Sequence, residues 1–228
     1  MSKRIVALLP MKAHSERVPG KNFRPMAGKP LVRWILDALL DVDVVTKVVI
    51  NTDARELLEE IGVVDSDRVS IRDRKPELCG DMVSKNLILE DDVTATDADL
   101  YLMTHTTNPL ITSETIRDAI HCIENNDGAD SLFSVNKTQT RFYREDGEAV
   151  NHDPDNLIRT QDLEPWFEEN SCLYLFTKDS FAATGARIGK RPMMFETPAL
   201  ESIDIDEPHD WFIGEAVLEK IQREIAPK

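Results

Sequence analysis

Between residues 12 and 29 stand Lys12, Arg17, Lys21, Arg24 and Lys29, opposed only by Glu16, in a 228-residue chain of net charge −15. Cations concentrated on one short stretch of an otherwise acidic chain can neutralise an anionic ligand. Gly20 and Gly28 let backbone come close to such a ligand, and Pro10, Pro19 and Pro25 stiffen the path, which suits a polyphosphate. The plain alternative is a solvated basic loop, the commoner fate of a charge cluster. Far along the chain, Ser202-Ile203-Asp204-Ile205-Asp206 sets two carboxylates at i and i+2, on one face of an extended segment. Hard oxygen ligands of this kind suit Mg2+ bridging phosphates. Asp206, just ahead of Glu207-Pro208, also reads as a helix N-cap, a role that does not need Asp204. Neither common phosphate frame occurs, since G-x-x-x-x-G-K-[ST] and G-x-G-x-x-G are both missing from the sequence.

The elements that must hold these groups follow from the apolar pattern. Ile5 to Leu9 is a run of five apolar residues, right for a strand buried on both faces of a parallel sheet. The cationic stretch therefore leaves the first strand at its carboxyl end, where open α/β sheets bind ligands. Helices are predicted over Leu31 to Leu40, Ala54 to Ile61 and Glu114 to Asn125, with one more carrying Val83, Leu87, Ile88 and Val93, and a closing helix from about Pro208 to Arg223. Strands are predicted at Lys47 to Asn51, Val69 to Ile71, Asp99 to Thr104, Ala129 to Val135, Asn170 to Thr177, Met193 to Glu196 and Glu201 to Ile205. This alternation argues a three-layer α/β protein with a parallel sheet. From Asn136 to Glu169 the pattern degrades, and Phe142, Tyr143, Leu157 and Ile158 are too scattered to form a core of their own, which reads as a surface insertion or a dimer arm.

Composition bounds the partners. A hydrophobic content of 41% is ordinary for a globular protein, and the length fits one domain with a modest appendage. The acidic balance argues against nucleic acid and anionic membranes, which require a basic footprint. After Met1-Ser2-Lys3-Arg4 the chain enters a strand without an apolar leader, and no apolar run approaches the length of a membrane span, so a cytoplasmic protein is expected. Cys79, Cys122 and Cys172 are odd in number and widely spaced, which reads as reduced thiols with no zinc frame.

The run K-A-H-S-E-R-V-P-G-K-N-F-R-P-M-A-G-K-P-L resembles the opening signature of the cytidylyltransferases that activate acidic sugars, the CMP-sialic acid and CMP-KDO synthetases. Ser15, Arg17, Pro19, Lys21 and Asn22 match it, with Lys12 where that family usually has Arg. Asp204, Asp206, Pro208 and Asp210 match its C-terminal metal signature. Between them Asn51-Thr52-Asp53, then Arg74, Glu77, Leu78 and Asp81 with Ser84-Lys85, then Asn108-Pro109-Leu110, then Asn170 to Tyr174 fall in family order.

The resemblance implies one domain over residues 1–228 with a Rossmann-like αβα nucleotide-diphosphosugar transferase fold, and residues 136–169 as a dimerisation arm of a homodimer. It implies transfer of CMP from CTP to an acidic acceptor with release of pyrophosphate. Lys12, Arg17 and Lys21 would neutralise the triphosphate, and Asp204 with Asp206 would hold Mg2+. Lys21 is read as exposed on its loop, so that its loss would spare folding. Backbone amides near Ala13 to Ser15 and at the helix beginning near Leu31 would add donors. Asn22, Arg74, Asp81, Ser84 and Lys85 fall on the nucleotide side, and His105, Thr107, Asn108, Asn170 and Tyr174 on the acceptor side. His105, Ile111 and Ser171 depart from the family at acceptor-side places, which implies an anionic acceptor other than N-acetylneuraminic acid. Two other classes stay open: a glycosyltransferase of similar fold, for which Asp97-Ala98-Asp99 is the one D-x-D candidate, and a non-catalytic nucleotide-binding protein.

Overall fold

A computed structural model describes residues 3–225. Met1 and Ser2, on which part of the leader reading rests, lie outside the described residues. The strands are β1 (Ile5–Leu8), β2 (Pro25–Met26), β3 (Lys29–Pro30), β4 (Val45–Thr52), β5 (Val69–Asp73), β6 (Leu100–Met103), β7 (Ser131–Thr138), β8 (Trp166–Phe176) and β9 (Pro192–Glu196). The helices are α1 (Leu31–Leu40), α2 (Arg55–Glu60), α3 (Lys85–Ala95), α4 (Ser113–Glu124), α5 (Lys178–Thr184) and α6 (Pro208–Ile225).

Seven strands form one sheet in the order β5-β4-β1-β6-β8-β7-β9, while β2 and β3 make a small separate hairpin. The pairs β4/β5, β1/β4, β1/β6 and β7/β9 are parallel, and β8 runs antiparallel to both β6 and β7. Alternate residues of β1 feed opposite faces, as a doubly covered strand requires. Ile5 and Ala7 pack with α1, α2 and α4 on one side, and Val6 and Leu8 pack with α3 and α5 on the other. The expected three layers and mostly parallel sheet follow from this.

A third apolar cluster positions the site. Met26 of β2, Val18, Leu31 and Ile205 pack under Trp211 and Leu218 of α6. The closing helix is thereby seated on the cationic loop, and the acidic segment before it is carried to that loop.

Two expectations change. Glu201 to Ile205 is not a strand but a turn followed by irregular backbone, because β9 already forms that sheet edge and Ile205 buries its side chain in the third cluster instead. Its backbone N–H donates to Thr107 O at 2.8 Å, in the loop after β6. The irregular stretch is shorter than residues 136–169, since the β7/β8 ladder continues out to Thr138 opposite Trp166. Leu57 and Leu87, expected inward, are exposed.

Candidate active site

A cleft of about 400 Å3 lies beyond the carboxyl ends of β1 and β6. Lys12, Ser15, Lys21, Asn22, Arg74, Lys85, His105, Thr107, Asp204 and Asp206 all line it. The cationic loop is fixed from within by Asn22, whose Nδ2 donates to Lys12 O at 2.9 Å and whose Oδ1 accepts from Thr106 Oγ1 at 2.6 Å. That places the loop against the strand end of β6.

The two charged segments meet directly. Lys21 Nζ donates to Ile205 O at 2.5 Å and to Asp206 Oδ1 at 3.1 Å. Arg17 reaches Asp206 Oδ2 at 2.7 Å and Glu207 Oε1 at 3.0 Å. Lys21 is only 9% exposed, so the reading of an exposed loop lysine is wrong: the satellite core under α6 draws it inward. Burial raises the Asp206 carboxyl, but the bonds from Lys21 and Arg17 outweigh it and hold the group below its usual range. Asp206 does not cap α6. The backbone N–H groups of Asp206 and Glu207 instead donate to Asp210 Oδ2 at 3.1 and 2.6 Å, the reach-back half of a capping box.

Asp204 stands differently. Burial pushes its carboxyl up, the Thr107 hydroxyl only partly offsets this, and buried Oδ1 has no hydrogen-bond partner. An orphaned buried carboxylate oxygen beside a second carboxylate fits a hard divalent cation. Among the described residues no three His, Cys, Asp or Glu side chains gather around one point, so a cation here would draw its other ligands from phosphate oxygens and water.

The far wall is cationic as well. Arg74 donates from Nη2 to Met11 O and Asn51 O, both at 2.7 Å, and from Nε to Asn51 Oδ1 at 3.0 Å. Asn51 is oriented by Asp92 Oδ1, which accepts from its Nδ2 at 2.7 Å. Burial brings the Lys85 ammonium down to about 8, and Arg74 and Arg187 add to the effect. Burial likewise brings His105 down to about 3, helped by Lys85 and Arg187, so its imidazole is neutral at physiological pH. In a protein of net charge −15, this cleft is a focused positive field.

A family model described as Cytidylyltransferase matches residues 6–223. The chain belongs to this family. It is 28% identical over 222 residues to the N-acylneuraminate cytidylyltransferase A of Danio rerio, covering 94% of this chain and 50% of that one. It is 28% identical over 235 residues to the CMP-N,N'-diacetyllegionaminic acid synthase of Legionella pneumophila, covering 95% of this chain and 97% of that one. The chain thus spans half of the first relative and nearly all of the second. In fold it is similar to a CMP:2-keto-3-deoxy-manno-octonic acid synthetase solved with CTP, with TM-score 0.68 at 14% identity over 96% of this chain and 99% of the other. The same TM-score, 0.68, relates it at 13% identity to a 4-diphosphocytidyl-2C-methyl-D-erythritol synthase from Anaerococcus prevotii, over 96% and 97% of the two chains.

Within this cytidylyltransferase several expected groups serve other ends. The Ala13 N–H donates to Asp53 Oδ1 at 2.7 Å, and the first amides of α1, Leu31 and Val32, donate to Arg24 O and Asn22 O at 3.1 and 3.0 Å. These donors close the loop on itself instead of facing the cleft. Asp81 is exposed and paired with Lys12, and Ser84 caps α3 by accepting from the Asn86 N–H at 3.3 Å. Asn108 is buried behind the cleft. Asn170 is the hub of a polar network with Ser134, Asn136, Thr197 and Ser202. Tyr174 is fully buried in the core beside Phe176, with its ring edge behind the cleft wall.

Ile111 is 3% exposed in the main core against α4, so it does not belong to the acceptor side. Asp97 and Asp99 bind Arg4 at the amino end of β6, opposite the cleft, which removes them as a D-x-D site. Sequence reasoning missed Arg187, a cleft residue supplied by the loop between α5 and β9. A lone Arg between glycines carries no pattern, and only the fold reveals where it points.

Proposed function

We propose that this cytidylyltransferase transfers CMP from CTP to the hydroxyl of an acidic keto sugar, a nonulosonic acid or a related acid, and releases pyrophosphate. The observation that carries the reading is the meeting of Lys21 and Arg17 with Asp206, beside the orphaned oxygen of Asp204, in one cleft. The acceptor oxygen attacks the α-phosphorus, and the bond from that phosphorus to the bridging oxygen of pyrophosphate breaks in line. Such a transfer asks mainly for positioning and charge neutralisation. Lys12, Arg17 and Lys21 are cations for the negative charge that grows on the leaving group. Asp204 and Asp206 would hold Mg2+, which when bound supplies charge neutralisation across the phosphates. Arg74, with its Nε and Nη2 spent on β1 and β4, positions the wall against which the nucleotide lies. His105, with a pKa near 3, is too weak a base to take the acceptor proton and serves as a neutral hydrogen-bond partner.

The sugar acids named in the relatives support this acceptor class. With Ile111 removed from the acceptor side, the case against N-acetylneuraminic acid itself rests on His105 and Ser171, both of which line the cleft. We further place the protein in the cytoplasm, where nucleoside triphosphates are held and its three free thiols would persist. Among the described residues no helix is long and apolar enough to cross a membrane.

We also read the 136–169 stretch as the arm of a homodimer. Tyr143, Leu157, Ile158, Trp166 and Phe167 are all exposed on and beside it, a patch a second copy would cover. Light scattering at micromolar concentration tests the arm, and an active monomer would contradict it. Pyrophosphate release from CTP and Mg2+ on addition of keto sugar acids tests the reaction.

A further inference from the structure

Arg187 is the one cleft cation outside the cationic loop whose fork is not spent on the backbone. Its guanidinium lies 4.0 Å over the Tyr174 ring. Nη2 donates to Tyr174 Oη at 3.0 Å and stands 3.5 Å from Glu169 Oε1, while among the described residues Nε and Nη1 have no bonded partner. Stacking on a buried ring fixes the plane of the fork at little entropic cost on binding. The side chain is 22% exposed, so the free edge is accessible yet sheltered.

Its surroundings point to a ligand other than the triphosphate. Arg187 sits with His105 and Ser171 on the β8 side of the cleft, and Lys85 separates it from Arg74 and the cationic loop. Beyond the Lys85–Arg187 pair opens a second cavity of about 340 Å3. Ser84, Asn86, Glu169 and Ile188 line it, a mixture of hydrogen-bonding and apolar groups suited to a hydroxylated, substituted carbon chain. Because His105 is neutral, Glu169 is the carboxylate that opposes these cations at the shared wall, and its Oε1 already accepts the Tyr174 O–H. A positive charge is left to be matched.

We propose that Arg187 is the specificity-determining residue for the acceptor, pairing bidentately with its carboxylate so that the rest of the acceptor extends into the second cavity. This rests on the reading of an acidic acceptor given above. The arrangement assigns the cationic loop to phosphates and Arg187 to the carboxylate, so that two anionic substrates meet without competing for the same cations. A planar carboxylate matches the guanidinium fork, and a neutral ester offers neither the charge nor two equivalent oxygens.

The test titrates N-acetylneuraminate, 3-deoxy-manno-octulosonate and the methyl ester of each into the full chain, saturated with Mg2+ and α,β-methylene CTP. The wild-type protein should bind at least one acid about 10- to 100-fold more tightly than its ester, the span of a charge-assisted hydrogen bond. R187M should bind that acid and its ester alike, with unchanged affinity for the CTP analogue. R187K, which keeps the charge and loses the fork, should retain only part of the discrimination, and it serves if R187M does not fold. An unchanged acid-to-ester ratio in these variants, or no preference for any acid in the wild type, would overturn the proposal. Pyrophosphate release with CTP is read in parallel. Acid binding through Arg187 without turnover would uphold this inference and refute the transfer reading instead.

Discussion

Replacing Lys21 by Met separates the two things this residue does. The ammonium is nearly enclosed and gives one bond to Ile205 O at 2.5 Å and one to Asp206 at 3.1 Å. A hydrogen bond from a charged donor contributes about 1.5–3 kcal/mol, and an abandoned buried carbonyl costs about 1–3 kcal/mol. Against this, Met returns apolar packing under α6, and Arg17 continues to hold Asp206. A net loss of about 2 kcal/mol follows, which in a domain of this size lowers Tm by about 4–8 °C. The rate should suffer far more, because a preorganised cation facing developing charge contributes about 100- to 1000-fold in kcat. Thermal melts and pyrophosphate release at saturating CTP read the two effects separately. An unchanged Tm would refute the structural bonds, and a rate within a few-fold of wild type would refute the phosphate role.

Asp204→Asn and Asp206→Asn should each raise the Mg2+ concentration needed for half-maximal rate but diverge in stability. Asp204 is raised by burial, so neutralising it leaves Tm unchanged or higher, whereas Asp206 loses bonds to Lys21 and Arg17 and melts lower. The Asp206 contribution is present above the ordinary carboxylate pKa and vanishes as pH falls through its lower folded value, which melts of wild type and variant between pH 2 and 6 would follow. Lys85 works in the opposite sense: its folded pKa of about 8 lies below its ordinary 10.5, so its burial cost is fully present below pH 8 and lifts as pH rises. CTP should restore the charge, taking up about three quarters of a proton at pH 8.5 and binding about tenfold more weakly per pH unit above 8. Calorimetry in two buffers of different ionisation heat checks this, and K85M should abolish the uptake. Ser171 sits at φ 59, the left-handed region that favours glycine. S171G should therefore be more stable than S171A by about 1 kcal/mol in denaturant titrations, and equal stability would count against strain at this bulge.

The architecture was legible because its signals are periodic. Five apolar residues at Ile5 to Leu9 could only be a doubly covered strand, and that strand located the cationic loop at the binding end of the sheet. The Asp204/Asp206 pair was legible as chemistry but not as structure, since the alternation that reads as a strand serves a satellite core. Lys21 looked exposed for the same reason: nothing local announces that α6 will close over the loop. The backbone donors of Ala13 and Leu31 were misjudged because hydrogen-bond partners at Asp53 and Arg24 are set by the folded loop. Arg187 and the second cavity depend on how the α5–β9 loop lies against β8, a matter of long-range packing that spacing along the chain does not encode. Ile111 shows the converse, a position assigned by alignment to a site but claimed by the core.

The central claim is that one cleft joins CTP and an acidic sugar. Its most direct test incubates the protein with α-32P-labelled CTP, Mg2+ and single keto sugar acids, and separates the products by chromatography. The account predicts a labelled CMP-sugar formed one for one with pyrophosphate, dependent on the acid and lost in Lys21→Met. Labelled CMP alone, or no product with any acid while CTP is bound, would contradict it.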